Sequence, residues 1–523
     1  MSNQYYPPPP QQQYYPPPPQ QQYYPPPVSN TYAPVPGNTY APPSYEQAPT
    51  TNQVAEKWEP KPKYQDLWAL VLYLVQFAGY VALSYVGIKD LIDSGTLNNK
   101  HNSTSISQRS INTGDSGITL DAKAIVLLVL ALVLGFFLAL IYMLLMQRFP
   151  KPLIKITLWL SIATYFIAAV IYGLSRQYVL ALIFAVFGVI YLFAAWTWRD
   201  RIPFAAILLE TVTSITKKYY GTIIMGFAGL ILQVGWSIWW AFTIIGVYHK
   251  IYTRDCQKDP QTGNIRCKSP AIIVAMVFLL FSFYWTSQII KTIVHVTDAG
   301  AYAAYYFLEG TPQGTGSAPT LSSLKRACTT SLGSICFGSL IIAALNTMKA
   351  IFRTIANSDD GACGFLACCV EYLLACIEGL VEYFNHYAYV QVAIYGKSYC
   401  TAAKDTWRLI KDRGIEAVIN DNLIGNVLTM GAIFIGVLCG LFGYAYLVIV
   451  KPDFNINGQN TLFLVLICFL LGLMMTIVVT DAIDSGVTTT FVALAEDPDA
   501  LRRTKPELFE RIRQRWPRVV QGV

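Results

Sequence analysis

Charged side chains are scarce in this chain. Asp, Glu, Lys and Arg make up 13% of its 523 residues, whereas soluble domains carry roughly 25%. Hydrophobic residues make up 54%, and one soluble globule of this size cannot bury so much apolar surface. The composition therefore argues against a soluble globular fold, and it indicates that lipid covers the remaining apolar surface.

Enzyme signatures are also missing. None of the four histidines forms an HExxH motif or lies beside a cysteine set at zinc-binding spacing, and there is neither a GxSxG elbow nor a P-loop. Cysteines cluster at Cys363, Cys368, Cys369 and Cys376, but most of the cluster lies on one apolar segment, where packing or palmitoylation is favoured over metal binding. The sequence predicts no catalytic residue, no metal and no cofactor.

Residues 1–60 contain few aliphatic side chains and consist largely of Pro, Gln and Tyr, including repeated YYPPPPQQQ units. Such a composition predicts a disordered tail rich in polyproline II, and the first membrane span is expected to act as its own insertion signal. Within it, Pro42, Pro43 and Tyr45 form a PPxY segment, which WW domains of ubiquitin ligases bind. The alternative is that a tail so rich in Pro and Tyr contains PPxY by chance.

Apolar stretches of about 20 residues, the length that crosses a bilayer, follow the tail. They predict an all-α polytopic membrane protein with about ten transmembrane helices. A membrane domain is expected over 61–498, followed by a basic cytoplasmic tail over 499–523. The predicted spans are 67–87, 124–146, 153–173, 178–198, 221–248, 271–294, 328–352, 365–384, 425–450 and 461–482.

Lys and Arg near the ends of the spans predict the orientation. Basic residues concentrate on one side if the tail is cytoplasmic, and both termini are then cytoplasmic; the loop 249–269 is the exception. No basic face remains once the spans are removed, so nucleic-acid binding is not expected.

Two features of the predicted outer loops agree with this orientation. Asn102 begins a glycosylation sequon in the first outer loop, and Cys256 and Cys267 lie in the third, where oxidation favours a disulfide.

Three segments do not read as simple spans. Residues 202–220 are apolar with Glu210 inside, residues 295–310 are small and aromatic, and residues 385–420 form an amphipathic pattern with repeated Lys and Arg. We expect them to be half-helices or interfacial helices at the cytoplasmic face.

Acidic residues inside a span are functional candidates because charge at membrane depth is costly. Glu371, Glu378 and Glu382 share one helical face, and Glu378 is the deeper candidate for a binding role. The alternative is a structural partner for a Lys or Tyr on a neighbouring span. Asp481 and Asp484 are expected to mark the exit of the last span.

Aromatic residues crowd the fifth and sixth spans. Trp236, Trp239 and Trp285, with Tyr305 and Tyr306 further on, could bind an organic cation together with Glu378. Trp236 and Trp285 fall near mid-membrane, beyond the reach of an interfacial aromatic belt. Ordinary packing is the alternative.

The stretch CCVEYLLACIEGLVEYFNHYAYVQVAIYGKSYCTAAKDTW (368–407) resembles the signature of the choline transporter-like family. The shared elements are a Cys-Cys pair, a Cys-x-Glu ending at Glu378, and an FLN-type run that contains Asn385. His386 and Tyr387 depart from that run, and the tail and short first outer loop resemble the fungal branch. The resemblance covers roughly 65–510, and Asn385 joins the candidate substrate-binding residues.

The resemblance implies facilitated transport of choline or a related organic cation across the plasma membrane. The membrane potential contributes about 2.3 kcal/mol per charge per 100 mV, so uptake of a cation needs no coupled ion. The alternative is a non-transporting scaffold that recruits WW-domain partners through Pro42, Pro43 and Tyr45. The sequence makes no prediction of oligomeric state.

Overall fold

The computed structural model describes residues 63–93, 122–258, 265–267, 271–312, 314–358, 362–450 and 461–515. Almost all of these residues are helical, which confirms the all-α polytopic prediction. The helices are α1 (Leu67–Asp93), α2 (Ala122–Arg148), α3 (Pro150–Leu174), α4 (Tyr178–Thr197), α5 (Ile202–Lys218), α6 (Gly221–Asp255), α7 (Ala271–Leu308), α8 (Pro319–Cys328), α9 (Leu332–Ser358), α10 (Ala362–Tyr395), α11 (Tyr399–Val450), α12 (Thr461–Glu496), α13 (Pro498–Thr504) and α14 (Pro506–Arg515).

Nine of the described helices are long and apolar enough to cross a membrane, and α10 is not among them. The contacts around Asp66 nevertheless require α10 to cross. The carboxylate of Asp66, just before α1, accepts hydrogen bonds from the Ser334 hydroxyl and the Tyr399 backbone N–H, each at 2.7 Å. The starts of α1, α9 and α11 therefore lie on one face. Since α9 leaves that face and α11 starts on it, we infer that α10 makes the return crossing, which gives ten crossings within the described residues.

Both ends of the membrane domain lie on this same face. The side chain of Thr504, which follows α12, donates to the backbone carbonyl of Tyr306 near the end of α7, 3.1 Å away. The end of α7 connects through the short helix α8 to the start of α9, which lies beside Asp66. An even number of crossings and a shared face agree with the predicted cytoplasmic placement of both termini.

The three irregular segments have different structures. Residues 295–310 are not a half-helix, because α7 continues without a break through Leu308. Residues 385–420 are not one interfacial helix either: they form the end of α10 and the beginning of α11, joined at Gly396, which has φ +59°. Residues 202–220 do form a separate short helix, α5, which is largely buried among its neighbours rather than lying on the surface.

The bundle has an aromatic and aliphatic core, and its outer surface is also apolar. The main core contains Trp285, Tyr302, Tyr387 and Phe491, together with most of the apolar face of α5. By contrast, α4 buries only Gly188 and exposes large aliphatic and aromatic side chains, such as Phe193 and Trp196. A helix that is apolar all round and exposed in this way fits contact with lipid.

A two-stranded antiparallel hairpin, β1 (Cys256–Lys258) and β2 (Ile265–Cys267), connects α6 to α7. Cys256 and Cys267 are direct partners across the hairpin. Directly opposed residues have Cα atoms roughly 4.5–5.5 Å apart, a spacing that a disulfide accommodates. The disulfide remains a prediction that this backbone register supports. Asn102, Pro42, Pro43 and Tyr45 lie outside the described residues.

The C-terminal residues 498–515 form the helices α13 and α14, which pack on the membrane domain. Leu501, Phe509 and Ile512 are buried in the main core. Asp497 caps α13, its carboxylate accepting from the Ala500 backbone N–H at 3.0 Å. The first part of the predicted basic tail is thus docked on the bundle.

Helices α1 and α6 cross at two glycines. A Cβ atom on Gly246 would lie 2.5 Å from the backbone oxygen of Gly87, where no side chain can move aside. We expect Gly246→Val to reduce the yield of monodisperse protein in detergent, because overpacking costs about 1–3 kcal/mol or more. Gly235→Val on the same helix is the control, since a Cβ there meets nothing within 4 Å. Equal yields for the two variants would contradict the crossing.

Candidate functional site

A cavity of about 740 Å³ lies between α6, α7, α10, α11 and α12. Its described lining includes five carboxylates but only one lysine, so its charge favours a cation. The acidic, lysine and histidine side chains that line it are Lys291, His295, Asp298, Glu382, His386, Asp421, Asp481 and Asp484.

Two stacked histidines form one wall of the cavity. The rings of His295 and His386 are 4.0 Å apart between centroids. The Nε2–H of His295 donates to the backbone carbonyl of His386 at 3.0 Å, so in the neutral ring Nδ1 accepts from Ser485 at 2.7 Å. The Nε2 atom of His386 lies 3.3 Å from an oxygen of Asp484. These contacts fix both rings and orient Asp484 toward α10.

Two further acidic groups of the lining have protein partners. Asp421 of α11 accepts hydrogen bonds from the hydroxyls of Tyr387 and Tyr383, the latter at 3.0 Å. Lys291 of α7 donates to Glu382 of α10 at 2.6 Å, and both side chains are substantially exposed. The lysine is therefore already engaged by one carboxylate.

Asp298 differs from the other acids of the cavity. It is 1% exposed, it lines the cavity, and its Oδ1 atom has no hydrogen-bond partner among the described residues. A buried carboxylate oxygen without a partner is costly unless something satisfies it. It is the strongest candidate in this cavity for direct contact with a bound cation.

The three tryptophans predicted to bind a cation lie elsewhere. Trp236 and Trp239 pack with Tyr80 in a separate cluster, and the indole of Trp239 donates to Ser84 at 2.9 Å. Trp285 is 1% exposed and donates to the backbone carbonyl of Cys336 at 3.1 Å. These contacts are of the packing kind, the alternative interpretation of mid-membrane tryptophan.

The two predicted tyrosines lie at the inner end of α7. The Tyr306 hydroxyl donates to the backbone carbonyl of Asp497 at 2.9 Å, and the ring of Tyr305 packs under Lys505. Tyr305 also lines a second cavity, of about 840 Å³, between α2, α5 and the C-terminal helix α14. Both residues hold the C-terminal segment rather than line the acidic cavity.

Glu378 and Asn385 of α10 have protein partners as well. Lys349 of α9 donates to the carboxylate of Glu378. One turn after Lys349 on the same helix, Arg353 lies 3.9 Å from Glu371. The Tyr399 hydroxyl donates to the side-chain oxygen of Asn385. Among the described residues, none of the seven predicted substrate-binding side chains lines the acidic cavity.

Sequence reasoning missed the acids that do line it. Asp481 and Asp484 lie within α12, which continues past them to Glu496, and both line the acidic cavity. They lie three residues apart, as do His295 and Asp298 on α7, so each pair shares a helical face. This matched spacing was the feature of the sequence that could have indicated a shared polar site between α7 and α12.

The contact between the C-terminal segment and α7 is expected to depend on pH. Lys505 donates to the backbone carbonyl of Tyr305 at 2.8 Å, and its Nζ lies 3.6 Å from that ring's centroid. Burial lowers the pKa of Lys505 to about 8, with Glu309 raising it and Lys218 lowering it to smaller extents.

Release of the segment would restore the ordinary Lys505 pKa of 10.5. Between pH 8 and 10.5, Lys505 is therefore protonated to a larger extent in the released segment than in the docked one. Docking should therefore strengthen as pH rises through this window, by at most roughly tenfold per pH unit. Hydrogen exchange of residues 498–515 measures this, after correction for the intrinsic exchange rate. Lys505→Met is expected to remove the pH dependence, and an unchanged slope in that variant would contradict the assignment.

A bundle of long apolar helices with an acidic cavity between several of them is the architecture of a polytopic membrane protein of the transporter type. The family model described as plasma-membrane choline transporter matches residues 182–499. The chain belongs to this choline transporter-like family, a family of membrane transporters.

Three fungal relatives show how far the similarity extends. Protein PNS1 of Gibberella zeae is 35% identical over 492 residues, which cover 93% of this chain and 89% of the relative. Protein PNS1 of Cryptococcus neoformans is 36% identical over 478 residues, covering 90% and 85%. Protein pns1 of Aspergillus fumigatus is 33% identical over 489 residues, covering 93% and 89%. The chain lies in the fungal branch of the family.

Proposed function

We propose that this protein is a facilitative transporter of organic cations, choline or a related amine, across the plasma membrane. The observation that carries the proposal is the acidic cavity between α6, α7, α10, α11 and α12. A cation that enters it exchanges water for carboxylates, which offsets the cost of holding charge at membrane depth.

The position of the cavity along the helices supports a transport pathway. Asp298 lies 27 residues from the start of α7 and 10 residues from its end, by subtraction from Ala271–Leu308. On the proposed orientation the cavity is therefore nearer the cytoplasmic side. An inside-negative potential drives a monovalent cation toward that side with about 2.3 kcal/mol per 100 mV, without a coupled ion.

Uptake of labelled choline into proteoliposomes under an inside-negative potassium diffusion potential tests the proposal. We expect uptake to rise with the potential and Asp481→Asn to lower it by roughly tenfold to hundredfold, because a hydrogen bond to a charged group contributes about 1.5–3 kcal/mol. Asp200→Asn, an exposed carboxylate outside the cavity, is the control. Absence of uptake of choline and of any other organic amine would overturn the proposal.

The WW-domain partner remains a separate proposal. Pro42, Pro43 and Tyr45 fit a ubiquitin-ligase WW groove by sequence, and a transporter can carry such a segment as a regulatory element. Deletion of residues 1–60 separates the two roles. Normal uptake with slower degradation of the protein would assign the tail to regulation alone. Absence of uptake with and without the tail, together with loss of WW-domain binding on deletion, would favour the scaffold alternative.

A further inference from the structure

We infer that the acidic cavity prefers a linear di- or polyamine, whose protonated nitrogens carry N–H donors, over a quaternary ammonium compound. This rests on the proposed function and narrows its substrate class. The Oδ1 atom of Asp298 supports it: the side chain lines the cavity, is 1% exposed, and lacks a hydrogen-bond partner in the described part of the chain. An N–H donor satisfies that oxygen, whereas a trimethylammonium group has no N–H to offer.

The charge balance of the cavity points to more than one positive charge on the ligand. Lys291 is already engaged by Glu382, which leaves the four aspartates of the lining: Asp298, Asp421, Asp481 and Asp484. His386 lies beside Asp484 and, when protonated, balances one of them. Because like charges in a shared low-dielectric site repel strongly, a dication relieves more repulsion than a monocation does.

The spacing of the acids suits a short linear chain. Asp481 and Asp484 are one helical turn apart on α12, where side chains lie about 5–6 Å from each other. Three or four methylene groups separate two ammonium groups by a similar length. The cavity of about 740 Å³ is large enough for such a chain to lie along α12.

The described lining offers little of the aromatic surface that stabilises a quaternary ammonium group. Stabilisation of that group comes mainly from the faces of Trp, Tyr and Phe. Among the described residues the cavity contains Tyr284 and Tyr383 but no Trp or Phe. The hydroxyl of Tyr383 is already directed at Asp421, and the Trp236–Trp239 cluster packs against Tyr80.

Binding to the purified full-length protein tests the inference by isothermal titration. The probes are 1,4-diaminobutane, spermidine, choline and the permethylated bis-quaternary form of 1,4-diaminobutane. We expect the diamine to bind at least roughly tenfold more tightly than its permethylated form, because only the diamine donates charge-assisted hydrogen bonds. Asp298→Asn should reduce that ratio to near one, while Asp200→Asn should leave it unchanged.

A permethylated form that binds as tightly as the diamine would overturn the inference. If choline is taken up and the diamine has no advantage, the substrate class is wrong and the proposed function stands. If the diamine binds with the expected preference but no cation is taken up, the binding class holds and the proposed function fails.

Discussion

Asp298→Asn is expected to lower cation uptake by roughly a hundredfold while leaving the folded protein as stable as the parent, or more stable. The side chain is buried beside other acids, and its Oδ1 atom has no hydrogen-bond partner among the described residues. Asparagine cannot become charged, so the variant avoids repulsion from the neighbouring acids in the empty protein, whereas it loses an attraction of about 1.5–3 kcal/mol to the bound cation. Uptake per folded protein and the detergent melting temperature are measured on the same preparation.

Asp405→Asn provides the matched control with the opposite pattern. Asp405 lies outside the acidic cavity, and its carboxylate accepts from Lys397 at 2.6 Å. We expect this variant to lose stability by up to about 1 kcal/mol and to keep its uptake per folded protein. If Asp298→Asn unfolds the protein, or keeps full uptake, the binding role of Asp298 is wrong.

Lys349→Met is expected to destabilise the bundle by about 3–5 kcal/mol. Its ammonium group donates to Glu378, whose side chain is 16% exposed, so removal of the lysine leaves a largely buried carboxylate without its partner. The melting temperature in detergent, or the denaturant midpoint, measures the loss. Arg353→Met is the control, since that arginine is 72% exposed and lies 3.9 Å from Glu371, and we expect a change below about 1 kcal/mol.

The double variant Lys349→Met with Glu378→Gln decides between the two roles considered for Glu378. If Glu378 is a structural partner, the second change should recover most of the lost stability, with uptake close to that of the parent. A double variant that is stable but transports nothing would return Glu378 to the substrate site. No recovery of stability would mean that the pair is not the reason for the first loss.

The course of the chain through the membrane was largely predictable, because span length and apolarity follow from the thickness of the bilayer. The first polar residues after an apolar stretch were a poorer guide to where a helix ends. Helix α12 has 36 residues and is about 54 Å long at 1.5 Å per residue, so it extends well beyond a hydrocarbon core of about 30 Å. Asp481 and Asp484 therefore resembled an exit in the sequence, although they face a cavity inside the bundle.

The partners of a side chain were not predictable from one sequence. Trp236, Trp239 and Trp285 were selected for their predicted depth in the spans, but depth does not say whether an indole faces a cavity or a neighbouring helix. The structure pairs Trp239 with Ser84 and Trp285 with the Cys336 backbone. Likewise Glu378 was identified as the deeper acid of its span, whereas its partner Lys349 lies on another helix and only the packing of α9 on α10 brings the two together.

A cryo-EM structure of the transport-competent protein with saturating 1,4-diaminobutane, and a second with choline, would test the central claim most directly. The account predicts ligand density inside the cavity, with an ammonium group within hydrogen-bond distance of Asp298 in the diamine complex. Density among Trp236, Trp239 and Tyr80, with the acidic cavity empty, would contradict it.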